Sequence, residues 1–372
     1  MIEYIEVRGN DTNVIGIIDT ARSVIWHSVY FGVGDFEIHA KATPEIVTLL
    51  QAGRYVTRPN NNDVGIIEKL YLPENIDEGA TITASGRFIK SILDRRLIYN
   101  LTGNSNKATI LRGNVESAVR EVVKNNAIAC AFDARRNIAR LALGAAANIP
   151  LQIVDASGNA AEKQVSYENL LTYTDGVLEE YGLSAKGILQ DGTFLYTIYS
   201  GVDRSVNNSV GNMPVIFSKE FDNLTSSEYT YDETTEKNVA LIGGEGEGVE
   251  RYYSLLAGTE SGLQRREIFI DASSLSKKYK DENDVEQTYT DAQYKTMLDT
   301  KGKQDIAPLM ITETFDGVLD ATNGNYQYGR DFALGDIVTV QNNNIGKYVN
   351  VRIREALEYQ DENGYTVEVK YQ

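Results

Sequence analysis

The chain has 372 residues, of which 42% are hydrophobic and 24% charged, so it has apolar material for several cores and about two to four domains. Its formal net charge is −17, from 53 acidic and 36 basic residues, and this surplus repels phosphate backbones. Composition and charge therefore exclude a mainly disordered chain and argue against stable nucleic-acid binding.

The sequence carries few marks of secretion or membrane insertion. The single cysteine, Cys130, cannot form an intramolecular disulfide. The first residues do not resemble a secretory signal, and no run approaches the roughly 18 apolar residues of a transmembrane helix. We therefore expect a chain that is made in a cytoplasm, is soluble there and does not insert into a membrane.

The first hundred or so residues predict β-strands that are separated by polar turns. Residues typical of strands are concentrated in five segments, 13–19, 23–31, 36–40, 65–72 and 80–86. A short helical pattern follows at 87–98, with Phe88, Ile92 and Leu93 on one face. The succession of strands is typical of a meander or a barrel. We expect residues 1–112 to form an N-terminal β-barrel-like domain.

Helical periodicity begins near residue 113. Asn114 can act as an N-cap, and a stripe of apolar residues follows it at helical spacing, consisting of Val115, Val119, Val122 and Val123. A second helix is predicted within 166–184, where Ser166 can cap the start and Gly182 fits the end. Asp191 and Gly192 then predict the turn of a β-hairpin. Residues 113–205 are therefore expected to form an α+β domain of helix plus hairpin.

Residues 206–305 give the weakest pattern. Strands are predicted at 213–218, 237–244 and 265–272, whereas 245–250 and 277–287 are expected to be polar loops. A third helix is predicted at 290–302, capped by Thr290 or Asp291 and ended by Gly302. We expect this region to complete the neighbouring domains in part.

The last seventy or so residues show the clearest alternation. Apolar and polar residues alternate in 348–359 and 365–371, which predicts two half-buried strands joined as a hairpin. In the segment LGDIVTV, we expect Leu334 to be a core residue, Gly335 to make a turn and Asp336 to cap backbone amides. Residues 306–372 are expected to form a C-terminal β-barrel domain.

The residues with the strongest chemistry do not form a recognisable active site. His27 and His39 lie on neighbouring predicted strands, but zinc usually requires three or four ligands and Cys130 lies in a different segment. Catalysis by a Ser–His or Cys–His pair would need one of these histidines, and no G-x-S-x-G motif occurs. The sequence therefore favours structural roles for the two histidines, as partly buried or surface residues.

Three further motifs are also better explained structurally. The glycines of 241–250 lack the Lys-Ser/Thr ending of a phosphate loop, and 155–162 lacks the glycine and the final glutamate of a calcium loop. The three arginines of 133–140 suggest ion pairs at a subunit contact. Carboxylates are too numerous for any pair to be marked as catalytic, although two are all that a glycosidase needs. We predict no catalytic, cofactor-binding or metal-binding residue and no cofactor.

Several segments carry a resemblance through their order along the chain. They read SVIWHSVYFGVGDFEIHA, LLQAGRYVTR, GIIEKLYL, ITASGRFIKSILDRRLI, YSGVDRSVNN, PVIFSKEFDNL, KNVALIGG, REIFIDASSL and DFALGDIVTV. Together they resemble, over nearly the whole chain, a family of siphophage tail proteins of the baseplate-hub, or tail-tip, type. No single segment is diagnostic, but a shared order of many segments is hard to obtain by chance.

The resemblance implies a β-rich α+β multidomain fold, in which small β-barrels of the tail-hub type carry an inserted helix-plus-hairpin domain. Each subunit would offer two similar barrels, so that a homotrimer presents six and matches a six-fold tail tube. We find no convincing internal repeat between 1–112 and 306–372, and the first barrel can also be completed by strands from 206–245. The segments that build the two barrels are therefore left open.

The resemblance also implies a structural, non-enzymatic role at the virion tail tip, after assembly in the host cytoplasm. A trimeric ring would close and extend the tail tube and anchor the tip components. The implied partners are further copies of the chain, distal tail or tail tube ring proteins, the tape measure protein, and receptor-binding or spike proteins. We also hypothesise that part of the acidic surplus lines the channel and keeps DNA from sticking during ejection.

Two other functional classes stay open from the sequence. A tail-associated cell-wall hydrolase would need two carboxylates or a metal that converge in a cleft. A carbohydrate-binding adhesion module would need clustered exposed aromatic residues. The single tryptophan, Trp26, argues against the adhesion module because it lies in an apparent core strand.

Overall fold

The computed structural model describes residues 2–59, 61–75, 79–101, 107–155, 158–221, 223–280, 285–320, 325–344 and 346–371. Contacts divide the chain into two compact units. Unit 1 comprises Met1–Ile153, Ala161–Glu228 and Phe315–Gln372, and unit 2 comprises Val154–Ala160 and Tyr229–Thr314. The domain boundaries expected after residues 112, 205 and 305 stay predictions.

The described residues are β-rich, with four α-helices among many strands. The helices are α1 (Pro44–Leu49), α2 (Val115–Val123), α3 (Leu170–Glu180) and α4 (Asp291–Ile306). The strands of the first half are β1 (Ile5–Arg8), β2 (Val14–Ile18), β3 (Ser23–Val29), β4 (Asp35–Lys41), β5 (Tyr55–Thr57), β6 (Gly65–Tyr71), β7 (Glu74–Asn75), β8 (Gly79–Phe88), β9 (Thr109–Arg112), β10 (Leu141–Leu143), β11 (Glu162–Val165), β12 (Ser184–Gln190) and β13 (Thr193–Tyr199). Those of the second half are β14 (Ile216–Ser218), β15 (Leu224–Asp232), β16 (Val239–Gly243), β17 (Tyr253–Leu256), β18 (Glu267–Asp271), β19 (Lys278–Lys280), β20 (Glu286–Thr288), β21 (Thr312–Asp320), β22 (Ile337–Asn342), β23 (Lys347–Asp361) and β24 (Gly364–Tyr371).

One large sheet joins strands from both ends of the chain. Its order is β15-β21-β24-β23-β3-β4-β8-β6-β5-β1-β2, with β14 and β22 branching from β23 and β7 pairing with β8. The described strands form no closed barrel, so the predicted closure into small barrels is not found. The reason is that β3 pairs with β4 on one side and with β23 on the other, which leaves it no free edge to meet β2.

The strands of the first ninety or so residues surround one apolar core. In β3 and β4 alternate residues are buried, including Trp26, Phe36 and Ile38, as the sequence pattern predicts for half-buried strands. All five segments predicted as strands contain one. Helix α1, where Thr43 caps the first turn and Pro44 stands at the first helical position, was not predicted from the sequence.

The helical region has its own core in unit 1. Helix α2 begins after Asn114, whose Oδ1 accepts a hydrogen bond from the Ser117 amide at 2.9 Å, so the predicted cap is confirmed. Helix α3 is capped by Asn169 and not by Ser166, because the chain turns into the helix three residues later than expected. The segment predicted as a helix at 87–98 is a 3₁₀ helix, Ile89–Arg95.

The hairpin of β12 and β13 has the turn that its sequence predicts. Asp191 and Gly192 both have positive φ, +48° and +74°, which matches the right-handed twist of the two strands. Gly182, with φ +67°, follows α3 as predicted. Strand β10 adds to the free side of β13 in parallel.

Unit 2 is built on a three-stranded sheet, β17-β16-β18, with α4 packed on one face. Thr290 caps α4 in a capping box with Gln293, as predicted for the start of this helix. The expected end at Gly302 is wrong, because the helix continues to Ile306. The loop expected at 277–287 is also wrong in part, since Lys278–Lys280 pairs with Glu286–Thr288 as a hairpin.

The C-terminal strands follow the predicted alternation. Strand β23 pairs with β22 along its first half and with both β24 and β3 along its second half. Among the described residues, no helix combines the length and the apolar character that crossing a bilayer requires.

Candidate functional site

Unit 1 contains a cleft of about 690 Å³. It is lined by β3, the loop between β5 and β6, β12, the segment after β13 and the loop before β22. Charged lining residues include Arg58, Asp63, Lys90, Lys186, Asp336 and Glu358. Because burial penalises charge, the partners of these groups decide what the cleft can do chemically.

The most deeply buried pair joins distant parts of the chain. Arg58 follows β5 and Glu358 lies in β23, and each is less than a tenth exposed. The Arg58 Nη1 donates to Oε2 of Glu358 at 2.6 Å, Nη2 donates to Oε1, and the Tyr365 hydroxyl donates to Oε2 at 2.5 Å. Burial disfavours the Arg58 charge, but the hydrogen bonds and charge of Glu358 outweigh it and raise the pKa of the guanidinium. Both carboxylate oxygens of Glu358 are therefore engaged.

Asp63, just before β6, is in a different situation. Among the described residues, no cation lies within ion-pair distance of it, and its backbone amide donates to Oδ1 of Asn61 at 2.6 Å. Burial raises the pKa of Asp63, and the more distant charges of Lys186 and Arg58 offset this only in part. The Lys186 ammonium lies 5.1 Å from the ring centre of Tyr199. Within the described lining of the cleft, Asp63 is thus the carboxylate that lacks an ion pair.

A second buried pair includes Lys90 of the cleft lining. The Nζ of Lys90 donates to both carboxylate oxygens of Asp175, at 2.9 and 3.0 Å. Burial lowers the pKa of Lys90 and raises the pKa of Asp175, and the charge of each partner opposes these shifts. The pair links the 3₁₀ helix Ile89–Arg95 to α3, which is a structural use of both charges.

Asp336 lines the cleft and accepts three hydrogen bonds. Its Oδ1 accepts from the Val202 amide at 2.7 Å, and its Oδ2 accepts from the Ala333 amide at 3.0 Å and from the Arg204 Nε at 2.9 Å. The prediction that Asp336 caps backbone amides is confirmed. The bond to Arg204 also makes it one half of an ion pair.

The neighbouring glycine has a steric role as well as a turn role. Gly335 has φ +91°, and a Cβ there would lie 2.2 Å from the ring of Tyr30. Its carbonyl accepts from the Arg352 Nη1 at 2.7 Å. The predicted turn at Gly335 is confirmed, whereas Leu334 is half-buried on the cleft and does not lie in the core as expected.

Two carboxylates that line the cleft, those of Asp336 and Glu358, bind groups of the same chain. A glycosidase needs one carboxylic acid and a second carboxylate that are both free to meet a substrate. Glu358 and Asp336 use both oxygens within the chain, and Asp63 is left without a second carboxylate of this kind among the described lining residues. The arrangement fits fixation of the strands better than proton transfer.

The two histidines lie on neighbouring strands, as predicted. The Nδ1 of His27 lies 3.1 Å from Oδ2 of Asp35, and its Nε2 lies 3.5 Å from Oε2 of Glu355. His39 lies opposite Ser23, on the pair of strands that carries His27. Cys130 is buried, with its Sγ 3.7 Å from the Arg136 Nη1. In the part of the chain that the structure describes, His, Cys, Asp and Glu residues form no cluster that could hold a metal ion.

The arginine cluster of 133–140 separates in the structure. Arg136 is buried, stacks at 3.9 Å on the ring of Tyr99 and donates to the carbonyl of Leu97. Arg135 is exposed and pairs with Asp133. Arg136 is therefore used inside the chain, and the expected ion pairs at a subunit contact stay a prediction.

The other two motifs form local turns. The Asp155 carboxylate accepts from the Asn159 amide at 3.0 Å, while residues 156 and 157 of the predicted calcium-like segment lie outside the described residues. In 241–250, the first three residues belong to β16 and Gly248–Glu250 form a 3₁₀ turn. Among their described residues, neither segment forms a cluster that could hold a metal ion.

Arg58, Asp63 and Glu358 of the cleft were not predicted from the sequence. Glu358 had a detectable signal, because it is a charged residue on the inward face of a strand that otherwise alternates. A register shift between Ile353 and Glu355 moves the buried face of β23 from odd to even positions, which conceals this from a simple alternation count. Arg58 and Asp63 lie in a loop and gave no signal.

Solved structures with a similar fold include proteins that are described as tail proteins, two of them from prophages. The 43 kDa tail protein of prophage MuSo2 from Shewanella oneidensis is 12% identical, with a TM-score of 0.58 over 100% of this chain and 98% of that chain. The tail protein from Neisseria meningitidis MC58 is 13% identical, with a TM-score of 0.55 over 99% and 95%. Prophage tail protein gp18 from Listeria monocytogenes EGD-e is 12% identical, with a TM-score of 0.53 over 99% and 94%. At these identities the likeness establishes the fold class alone.

The family follows from the sequence itself. The family of siphovirus ReqiPepy6 Gp37-like proteins matches residues 4–371, and the chain belongs to this family. No curated protein matches the sequence. The resemblance to a siphophage tail protein family is thereby confirmed, and the fold is similar to that of prophage tail proteins.

Proposed function

We propose that this tail protein is the hub of the tail tip, where a homotrimeric ring closes and extends the tail tube and anchors the tip components. The observation that carries the proposal is the fold, which the chain shares over nearly its whole length with tail proteins of similar size. The large sheet is consistent with it, because pairing of β3 with β23 joins strands from both ends of the chain in one sheet.

A non-enzymatic role is part of the proposal. The cleft supports it, because the described ion pairs of Arg58–Glu358 and Arg204–Asp336 consume the carboxylates that a hydrolase would need. In this proposal, the ion pairs of the cleft hold the strands in register, and the cleft does not turn over a substrate. Incubation with peptidoglycan should release no soluble fragments, and release of fragments would favour the cell-wall hydrolase instead.

The proposed partners follow from this position in the virion. They are further copies of the chain, a distal tail or tail tube ring protein, the tape measure protein, and a receptor-binding or spike protein. The acidic surplus of the chain fits a channel wall that repels DNA during ejection. Stable binding to nucleic acid and membrane insertion are not part of this function.

The mass of the purified protein in solution tests the proposal. Light scattering coupled to size exclusion should give three times the chain mass of 41.3 kDa, and electron microscopy should show rings. Labelling of the chain in intact particles should then mark the tail tip. A monomer at all accessible concentrations, or label elsewhere on the tail, contradicts the hub.

A further inference from the structure

The three-stranded sheet of unit 2 has one covered and one uncovered face. On the covered face, Ala240, Ile242 and Ile270 pack against Tyr294 and Leu298 of α4. On the other face, Leu241 stands directly between Leu255 of β17 and Phe269 of β18 in the strand register. These three side chains are 41%, 52% and 51% exposed, and Tyr253 beside them is 52% exposed. We call Leu241, Tyr253, Leu255 and Phe269 the open sheet face.

The two turns that connect the same strands also expose apolar side chains. Val249 precedes β17 and Leu263 precedes β18, and both side chains are almost fully exposed. Soluble monomers rarely keep contiguous apolar patches of more than a few hundred Å² unless the patch has a function. A standard interface buries about 800 Å² on each partner, with an apolar centre and a polar rim. The open sheet face has the apolar composition of such a centre.

The charges beside the open sheet face are neutralised within the chain. Glu267 and Asp271 flank Phe269 on the same face of β18, and they pair with Arg265 at 2.6 Å and with Arg251 at 2.5 Å. Arg251 reaches Asp271 by crossing Gly243, where a Cβ would lie 2.8 Å from its Cζ. Its guanidinium carbon lies 5.4 Å from the ring centre of Phe269.

The pairing of these carboxylates within the chain indicates which kind of partner can bind the open sheet face. A basic partner would be attracted by unpaired carboxylates, and these two are already paired. A second copy of the chain carries the same −17 charge, and two such copies can approach only where the local charge is balanced. The open sheet face is a balanced and apolar site on an acidic molecule.

We propose that the open sheet face of unit 2 is the docking surface for a second copy of this chain. The inference rests on the proposed trimeric ring and adds the surface through which the ring is made. In a three-membered ring each contact is heterologous, so this face meets a different surface of the next copy. Contact of the face with itself would produce a two-fold dimer instead.

The test compares two variants that each place one negative charge on an exposed apolar side chain. Leu255→Glu changes the centre of the open sheet face, and Met213→Glu changes a residue of unit 1 that is 77% exposed. Sedimentation measures the concentration at which the oligomer dissociates. We expect Leu255→Glu to raise it roughly tenfold or more, since a central interface side chain contributes over 1 kcal/mol. Met213→Glu should leave it unchanged.

The outcomes separate the inference from the proposed function. A wild-type trimer that Leu255→Glu leaves intact overturns the docking surface but not the hub. A wild-type dimer that Leu255→Glu dissociates supports docking of a second copy on this face and overturns the three-fold ring. A monomeric wild type overturns both. Circular dichroism confirms folding, and Leu255→Thr, which keeps a β-forming residue, replaces Leu255→Glu if the charged variant misfolds.

Discussion

Single residues hold the cleft together, and the Arg58–Glu358 pair is the strongest case. Glu358→Gln leaves the buried guanidinium without a compensating charge, so we expect the free energy of unfolding to fall by about 3–5 kcal/mol. Urea unfolding measures this through the fluorescence of Trp26, the single tryptophan, whose ring centre lies 5.2 Å from the Arg58 guanidinium carbon.

The matched control for this variant is Glu162→Gln. Glu162 pairs with Arg112 at 3.5 Å, and both side chains are more than half exposed. Such a surface pair contributes about 0–1 kcal/mol because solvent screens it. Equal losses of unfolding free energy in the two variants would show that the buried pair stabilises the chain no more than the surface pair does.

Asp63 gives the cleft a dependence on pH. Burial raises the pKa of Asp63 above its ordinary value of 3.8, so the folded chain keeps the proton at pH values where the unfolded chain has lost it. Stability from this residue is therefore present at low pH and is lost as pH rises through the folded pKa. We expect Asp63→Asn to raise the free energy of unfolding at pH 7 and to have no such effect below pH 3.8. Urea titrations at both pH values measure the difference, and an equal effect at both contradicts the assigned cause.

Gly335 tests the packing of the rim. Alanine at this position must adopt φ +91° and also displace the ring of Tyr30, so we expect a loss of about 3 kcal/mol or more. Gly53 has nearly the same backbone angle, φ +84°, but open space around it. Gly53→Ala should therefore cost only about 1 kcal/mol. Thermal unfolding compares the two, and similar losses would mean that backbone strain alone matters.

Two glycines inside helices allow the effect of helix propensity on stability to be separated from the effect of packing. Gly176 in α3 has no atom near the position of a Cβ, whereas a Cβ at Gly302 in α4 would lie 2.7–2.8 Å from Leu256 and Ile242. Gly176→Ala should stabilise the chain by about 0.5–1 kcal/mol through helix propensity. Gly302→Ala should destabilise it by about 1–3 kcal/mol through overpacking. Calorimetry measures both, and a stabilised Gly302→Ala would refute the packing argument.

Gly302 also shows which features of a helix can be predicted from the sequence and which cannot. Local chemistry was sufficient for the capping box at Thr290 and for the turn at Asp191 and Gly192. The end of α4 was not predictable locally, because Gly302 serves close approach to β16 and β17 and not termination. A glycine has the same sequence signal in both roles.

The candidate site was less predictable than the elements. Its central pair joins residues 300 positions apart, and no local pattern reports which loop meets which strand. The register shift in β23 also inverts the alternation at the point where Glu358 enters the core. Asp336 was predictable because a carboxylate directly after a glycine turn has backbone amides within reach.

In the whole molecule, the large sheet explains why separate terminal barrels are not found. β3 uses both edges, one for β4 and one for β23, so strands from the first and last parts of the chain stabilise each other. Sequence patterns predict that a strand exists but not which edge it offers, since both edges carry the same backbone groups. The family resemblance predicted the class of protein, while the strand order needed the structure.

The net charge of the whole molecule determines how its assembly should respond to salt. Each copy carries −17, so copies that associate through a locally neutral apolar face still repel each other at long range. The Debye length falls from about 30 Å at 0.01 M to about 10 Å at 0.1 M ionic strength, which removes most of this repulsion. We expect the oligomer to dissociate at lower protein concentration in 0.1 M than in 0.01 M salt, as sedimentation measures. Contacts made mainly of ion pairs would give the opposite trend, because salt would then weaken the attraction between copies.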